Sequence, residues 1–287
     1  MNSLILGIDA GNFKAKVAGP FGVDSFKTNI CGWFEIDQED TFNKSEDMEY
    51  TIDGRKGYAG PIAGREDQFG DGTIYGETKA HDLTKIRALL AIHRYLEKYS
   101  IKEDAFNIVT GQPISNHKDE EKNKIINMLR GEHEFTVNGK KHKITIQDVK
   151  VSPEGTGAFW SDAKVGTVRI IDIGSGTVNA VSMVDKKHLH KASGTMDTGM
   201  ETLKDKTDLE TMARGIIQFT TKLKWKPNDT VLICGGAAEV LEKHLQRHYI
   251  NAKTLNPQLK REHDTLSVKP VYANAVGFYN LAKVVYA

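Results

Sequence analysis

The 287-residue chain contains only two cysteines, Cys31 and Cys234, and only seven prolines. Two thiols give neither a disulfide framework nor a zinc quartet and suit a reducing compartment. An excess of one charge is also missing. Lys and Arg number 39 against 38 Asp and Glu, for a net charge of +1, so the global field marks no direct binder of nucleic acid or of an anionic membrane. No apolar run approaches the roughly 20 residues that span a bilayer. The N-terminus lacks a basic flank followed by a long apolar segment, so no signal peptide is expected. The Walker-type phosphate loop and the Gly-x-Ser-x-Gly elbow are both absent, and Cys31 has no identifiable base beside it. The expectation is a soluble cytoplasmic protein, long enough for two modest domains with their own cores.

One pattern is present twice. Leu6-Gly7-Ile8-Asp9-Ala10-Gly11-Asn12 and Ile170-Ile171-Asp172-Ile173-Gly174-Ser175-Gly176-Thr177 each read as an apolar strand, an aspartate, a glycine turn and a second strand. The strand delivers the carboxylate to a fixed place, and glycine lets backbone N–H groups approach an anion. Two such loops facing each other across a cleft would grip one triphosphate from both sides, with Asp9 and Asp172 holding hydrated Mg²⁺. A third apolar strand, Thr230 to Cys234, runs into Gly235-Gly236, whose missing side chains would let a nucleoside lie against backbone.

Strands and helices alternate in both halves, which argues for α/β domains. Domain I is expected over 1–164, with a small subdomain inserted at about 21–80; domain II is expected over 165–287. Within the insertion, Gly64 to Gly72 reads as a glycine-punctuated loop. Leu83, Ile86, Leu89, Leu90, His93 and Leu96 follow helical spacing behind Asp82, a candidate N-cap. A charged helix is expected from about His117 to Arg130, and a hairpin over Glu134 to Val151 around Asn138-Gly139. Pro153 suits the first turn of the helix that follows. Asn251 to Thr265 reads as loop, Val268 to Val271 as strand, and about 273–286 as a closing helix returning toward domain I.

With these pieces in order, the chain resembles the actin-like ATPase superfamily, and within it the bacterial plasmid-segregation actins of the ParM and AlfA type. The resemblance spans almost the whole length. Asp9-Ala10-Gly11-Asn12 through Lys16 is similar to the family's first phosphate motif, and Asp172 through Thr177 to the second. Leu232 to Ala237 resembles the adenosine motif, and Tyr272-Ala273-Asn274-Ala275-Val276-Gly277 the second interdomain connection. Pro153-Glu154-Gly155 matches the position of the residue that orients the hydrolytic water. The resemblance implies ATP or GTP with Mg²⁺ as cofactors, Lys16, Gly174, Ser175, Gly176 and Thr177 at the phosphates, and Thr198-Gly199 as a loop approaching them. It also implies a homopolymeric filament coupled to a plasmid centromere by a DNA-binding adaptor protein, without direct nucleic-acid or membrane contact. Only about sixty residues separate Asp172 from Gly235, so the second small subdomain is expected to be reduced or absent.

Each residue also has a plainer reading. Asp9 and Asp172 could be turn formers, Glu154 a dipole partner, and Gly235-Gly236 a strand end. Alternation puts Lys14 and Lys16 on one face, so spacing does not choose between them. His244 and His248, like His188 and His190, lack a third ligand and read as surface histidines. Two other functions stay open on the residues: a small-molecule kinase of the pantothenate-kinase type, since Asp-x-Gly-Asn also opens those chains, and a membrane-linked scaffold. The closing helix lacks the basic face that a membrane anchor needs.

Overall fold

The computed structural model describes residues 3–36, 42–66 and 79–286. In chain order, the elements of the first half are β1 (Leu4–Ala10), β2 (Lys14–Gly19), β3 (Gly22–Lys27), β4 (Ile30–Gly32), β5 (Met48–Ile52), β6 (Arg55–Ala59), α1 (Pro61–Glu66), α2 (Asp82–Tyr99), β7 (Ala105–Gln112), α3 (Asp119–Leu129), β8 (Gly131–Val137), β9 (Lys140–Pro153) and α4 (Thr156–Ser161). The second half continues with β10 (Thr167–Ile173), β11 (Val178–Val184), β12 (Lys187–His188), β13 (Gly194–Met196), α5 (Leu209–Lys222), β14 (Thr230–Gly235), α6 (Ala238–Gln246), β15 (Asn251–Thr254), β16 (Gln258–Lys260), β17 (Thr265–Ser267) and α7 (Ala273–Val285). Among these residues no helix is long and apolar enough to cross a membrane.

The sequence duplication is a duplication of sheet topology. In the first sheet β3-β2-β1-β7-β9 lie side by side; in the second, β12-β11-β10-β14-β15 do. In both, a hairpin leads into parallel pairing, β1 with β7 and then β9, β10 with β14 and then β15. The central strands β1 and β10 are covered on both faces, which is why Leu6, Ile8, Ile170 and Ile171 are fully buried and their strands read as continuous apolar runs. The first sheet then continues through β8, β5, β6 and β4. The result is an α/β fold with two large sheets, a cleft between them, and a small two-stranded sheet, β16 with β17.

Several local expectations are revised. β3, which the sequence places at the opening of an insertion, pairs along β2 and belongs to the core sheet; the small appended unit starts at β4 and uses β8 as its bridge. Gly64 to Glu66 close α1 rather than opening a loop, and the remainder of the segment up to Gly72 lies outside the described residues. The N-cap of α2 is His81, with Asp82 in its first turn, and the helix ends where Ser100 turns left-handed at φ 53°. Pro153 ends β9 instead of opening α4, so Glu154 sits in the turn between them. The stretch read as loop from 251 holds β15 and β16, and the strand expected at Val268 to Val271 is irregular chain entering a short 3₁₀ turn at Pro270–Tyr272. The β8–β9 turn is as its sequence demands: Asn138 and Gly139 both have positive φ, 48° and 79°, the type I′ geometry of a two-residue hairpin. Between β13 and β14 the only helix among the described residues is α5, capped by the Asp208 carboxylate on Thr211 N–H at 2.9 Å. No second small subdomain is built there.

Helix α7 joins the halves. It packs on β1, β2 and β7 of the first sheet and crosses α4 at very close range. A Cβ on Gly277 would lie 1.6 Å from the Gly157 carbonyl oxygen, so only glycine fits at that crossing. Gly277→Ala is expected to destabilise the fold by about 1–3 kcal/mol through overpacking, read as a lowered midpoint in thermal unfolding.

Candidate functional site

The repeated hairpins face one another across a cleft of about 430 Å³. In the first, Asp9 on β1 stands directly opposite Lys16 on β2; in the second, Asp172 on β10 stands opposite Asn179 on β11. The two positions are topological equivalents, but one aspartate has a cation across the ladder and the other an amide. The consequence is electrostatic. Burial alone would raise the Asp9 carboxyl, but Lys16 Nζ at 3.0 Å and Lys79 Nζ at 3.1 Å outweigh it and hold its pKa at about 2. Asp172 has no ion pair among the described residues: burial first, and the nearby Glu154 carboxylate second, outweigh the more distant Lys16 and push it up to about 6. Burial and Asp172 also push the Cys234 thiol up, so that cysteine is inert.

Glu154 reaches the cleft from the turn after β9. Its backbone N–H donates to the Gln112 carbonyl at 2.8 Å, which fixes the turn to the end of β7. Its side chain accepts from Asn179 Nδ2 at 3.3 Å, across the gap between the sheets, and pairs with Lys79. Lys79 therefore lies between Asp9 and Glu154. Its burial opposes the charge, yet the two carboxylates together raise its pKa above the ordinary lysine value.

Asn274, in the first turn of α7, spans the same gap. Its Nδ2 donates to Asp172 at 2.8 Å, while its Oδ1 accepts from the N–H groups of Gly155 and Ala158, both at 3.0 Å. One amide thus links the aspartate of the second sheet to the turn that carries Glu154.

Of the residues expected from sequence, Asp9, Gly11, Asn12, Lys16, Glu154, Asp172, Gly174, Ser175, Gly176, Thr177, Gly235 and Gly236 all line this cleft. Thr198 and Gly199 do not. Gly199 instead packs beneath the second turn, where a Cβ would meet the Ser175 carbonyl oxygen at 2.3 Å, and the next two N–H groups, of Met200 and Glu201, donate to the Gly174 and Ser175 carbonyls. Met200 and Glu201 are the residues of that segment on the cleft wall. The glycine pair after β14 also divides: Gly235 has φ 95° and abuts the Ile173 backbone, whereas Gly236 has open space where its Cβ would be. Gly235 shapes the chain; Gly236 leaves the wall bare. Beside them Ala237, Val240, Pro270, Val271 and Ala273 form an apolar shelf suited to a flat ring.

Lys79 and Asn179 were not singled out by the sequence, Asn274 entered it only within the interdomain-connection motif, and Lys14, whose role spacing left open, lines the cleft with Lys16. Arg87 was missed as well. It is fully buried behind the first turn, donates to Asn12 Oδ1 at 2.6 Å, and leaves Nε and Nη2 without hydrogen-bond partners among the described residues. Burial lowers its pKa to about 10. An uncompensated buried cation costs several kcal/mol, which an anion bound in front of Asn12 would offset. Arg87→Met is therefore expected to leave unfolding temperature unchanged or higher while weakening phosphate-ligand affinity about tenfold, a loss of ~1.4 kcal/mol, as read by calorimetric titration of nucleotide.

The residues fit a Mg²⁺–nucleotide. Two buried carboxylates face each other from the two sheets, cations lie on one side, two glycine turns present backbone, and Gly11 cannot carry a Cβ without meeting the Lys14 carbonyl oxygen at 2.5 Å.

Comparison with known proteins agrees with this geometry. Residues 7–157 match the model of the actin-like proteins N-terminal domain. No curated protein sequence matches the chain. Among solved structures, an AlfA filament bound to AMPPNP superposes with a TM-score of 0.77 at 21% identity, over 99% of this chain and 100% of that one. The AlfA filament from the B. subtilis plasmid pLS32 gives 0.77 at 21%, over 96% and 97%. An apo ParM protein of plasmid pSK41 gives 0.71 at 16%, over 99% and 98%. With its first half matching that domain and its two sheets closing on one cleft, the chain belongs to the actin-like proteins.

Proposed function

We propose that this protein is a nucleotide-dependent, filament-forming ATPase of the cytoplasm that drives plasmid DNA segregation through a DNA-binding adaptor. The observation that carries the reading is the paired hairpins: Asp9 and Asp172 face each other from two sheets, with Glu154 held beside them by Asn179 of the second hairpin and by Lys79, which also pairs with Asp9.

In this reading the N–H groups of the turns at Gly11 and Gly174 to Thr177 take the phosphates, and Lys16 sets their charge. Asp9 and Asp172 would hold Mg²⁺ through water, and the ion would supply charge neutralisation on the terminal phosphoryl group. Glu154 orients a water in line with that group and accepts its proton. Asn179 and Asn274 cross the gap between sheets, so closure of the cleft brings the second turn and Glu154 into one geometry. Nucleotide then acts as a conformational switch, and protomers in the closed state add to a filament. The fully covered AMPPNP-bound AlfA filament and the near-neutral charge of this chain support self-assembly and indirect attachment to DNA. The shelf beside Gly236 accepts a purine, and the preference for adenine over guanine is part of the proposal.

Incubation with γ-labelled ATP, Mg²⁺ and a panel of small alcohols tests the reaction class. All label is expected as inorganic phosphate. Label transferred to an alcohol would make the protein a kinase of the same fold.

A further inference from the structure

Three ligating side chains meet outside the cleft. His93 and Glu97 lie four residues apart on one face of α2, and His142 faces them from β9. Their ligand atoms all lie within 4.8 Å of one another. We propose that His93, Glu97 and His142 bind a divalent transition-metal ion of the zinc class, which clamps α2 to the β8–β9 hairpin.

The two ring nitrogens already meet. His93 Nδ1 lies 2.8 Å from His142 Nε2, so one proton is shared between them. The rings stand edge to face at 82°, and Phe135, directly across the ladder from His142, stacks on it at 5.0 Å. Phe135 sets the plane of the His142 ring. Two Zn–N bonds of about 2.0–2.1 Å at a tetrahedral angle need the nitrogens about 3.3 Å apart; opening the present contact by about half an ångström meets that. His142 is only half-buried and near the hairpin end, where such a shift is easy.

The protonation states suit ligation. Burial and the neighbouring His142 push His93 down to about 4, and burial with Lys140 lowers His142, so both rings are neutral at pH 7. Neutral imidazole is the ligating form. Glu97 is held ionised by its hydrogen bond to Lys140 at 2.5 Å. That pair is exposed, 43% for Glu97 and 58% for Lys140, and exposed pairs contribute little net stability, so the carboxylate is free to turn to a dication. Lys140 and Arg94 are the cations that oppose binding. Two nitrogens and one carboxylate, with a fourth position left for water, select Zn²⁺, Co²⁺ or Ni²⁺ over Mg²⁺. A metal here would brace the helix that also carries Arg87 to the first phosphate turn.

The test is calorimetric titration of chelator-treated full-length protein with Zn²⁺ in excess Mg²⁺, repeated with Co²⁺ by visible absorption. The variants are His142→Ala, Glu97→Gln and, as a control on α6, His244→Ala. One equivalent is expected to bind, with an intense tetrahedral Co²⁺ spectrum, at least about tenfold weaker in His142→Ala and Glu97→Gln and unchanged in His244→Ala. Nucleotide binding by all three variants should match the parent, which reports that they fold. No binding in the presence of Mg²⁺, equal binding by His142→Ala and parent, or loss in His244→Ala would overturn the site and leave a histidine–histidine hydrogen bond only.

Discussion

Glu154→Ala is expected to slow phosphate release by about 10²- to 10⁴-fold, the range for losing a positioned general base, while nucleotide binding stays within a few-fold of the parent. The reason is positional. Glu154 is held from three directions: its backbone by Gln112, one oxygen by Asn179 from the opposite sheet, the other by Lys79. None of the glycine turns depends on it. In the variant Lys79 keeps Asp9 as its partner at 3.1 Å, so the phosphate side of the cleft retains its charge balance. Filaments of the variant are expected to form with Mg-ATP and to persist. Rapid quench with labelled ATP checks the rate, and an unchanged rate would remove Glu154 from the chemistry.

Asp172→Asn should separate stability from function. In the metal-free protein burial and Glu154 push the Asp172 carboxyl up to about 6, above the ordinary aspartate range. The folded state therefore binds the proton more tightly than the unfolded chain. Stability from this group is greatest below the unfolded pKa and is lost as pH rises from about 4 through 6, so at pH 7.5 the ionised carboxylate is a net liability. Replacing it with a neutral amide keeps an acceptor for Asn274 Nδ2 and removes that liability, for an expected gain of about 1–3 kcal/mol at neutral pH. Stability should also lose its rise on acidification through pH 6. In the same variant the Mg²⁺ dependence of nucleotide binding should collapse, with hydrolysis down at least about 100-fold. Thermal melts in EDTA at pH 5 and 7.5, paired with Mg²⁺ titrations of nucleotide affinity, read both effects. A variant that is less stable at pH 7.5 and still Mg²⁺-dependent would contradict the assignment.

What the sequence disclosed and what it hid follow from the range of each signal. The duplicated hairpins, the glycine turns and the Asn138-Gly139 reversal are local patterns, because a turn with positive φ or a close backbone approach constrains neighbouring residues directly. The difference between Asp9 and Asp172 was hidden, although Lys16 and Asn179 were in plain sight, because it depends on registering one strand against another. Lys79 has no local signature at all; its role arises from two carboxylates 70 and 75 positions away in the chain. Arg87 was masked by a helix buried around most of its circumference, where a single apolar stripe misleads. Thr198 and Gly199 followed a looser motif, and the chain places them one turn below the cleft wall, with Met200 and Glu201 on it. Short β16 and β17 carry one apolar residue each, Leu259, which is buried, and Leu266, too few to announce a hairpin.

The central claim is that the cleft is a nucleotide clamp whose occupancy controls assembly. Light scattering and phosphate release recorded together on one sample, after adding Mg-ATP or Mg-ADP across a range of protein concentrations, test it most directly. Scattering that rises with ATP above a critical concentration, decays as phosphate appears, and stays low with ADP is the predicted result. Flat scattering at every concentration, with or without phosphate release, would contradict it.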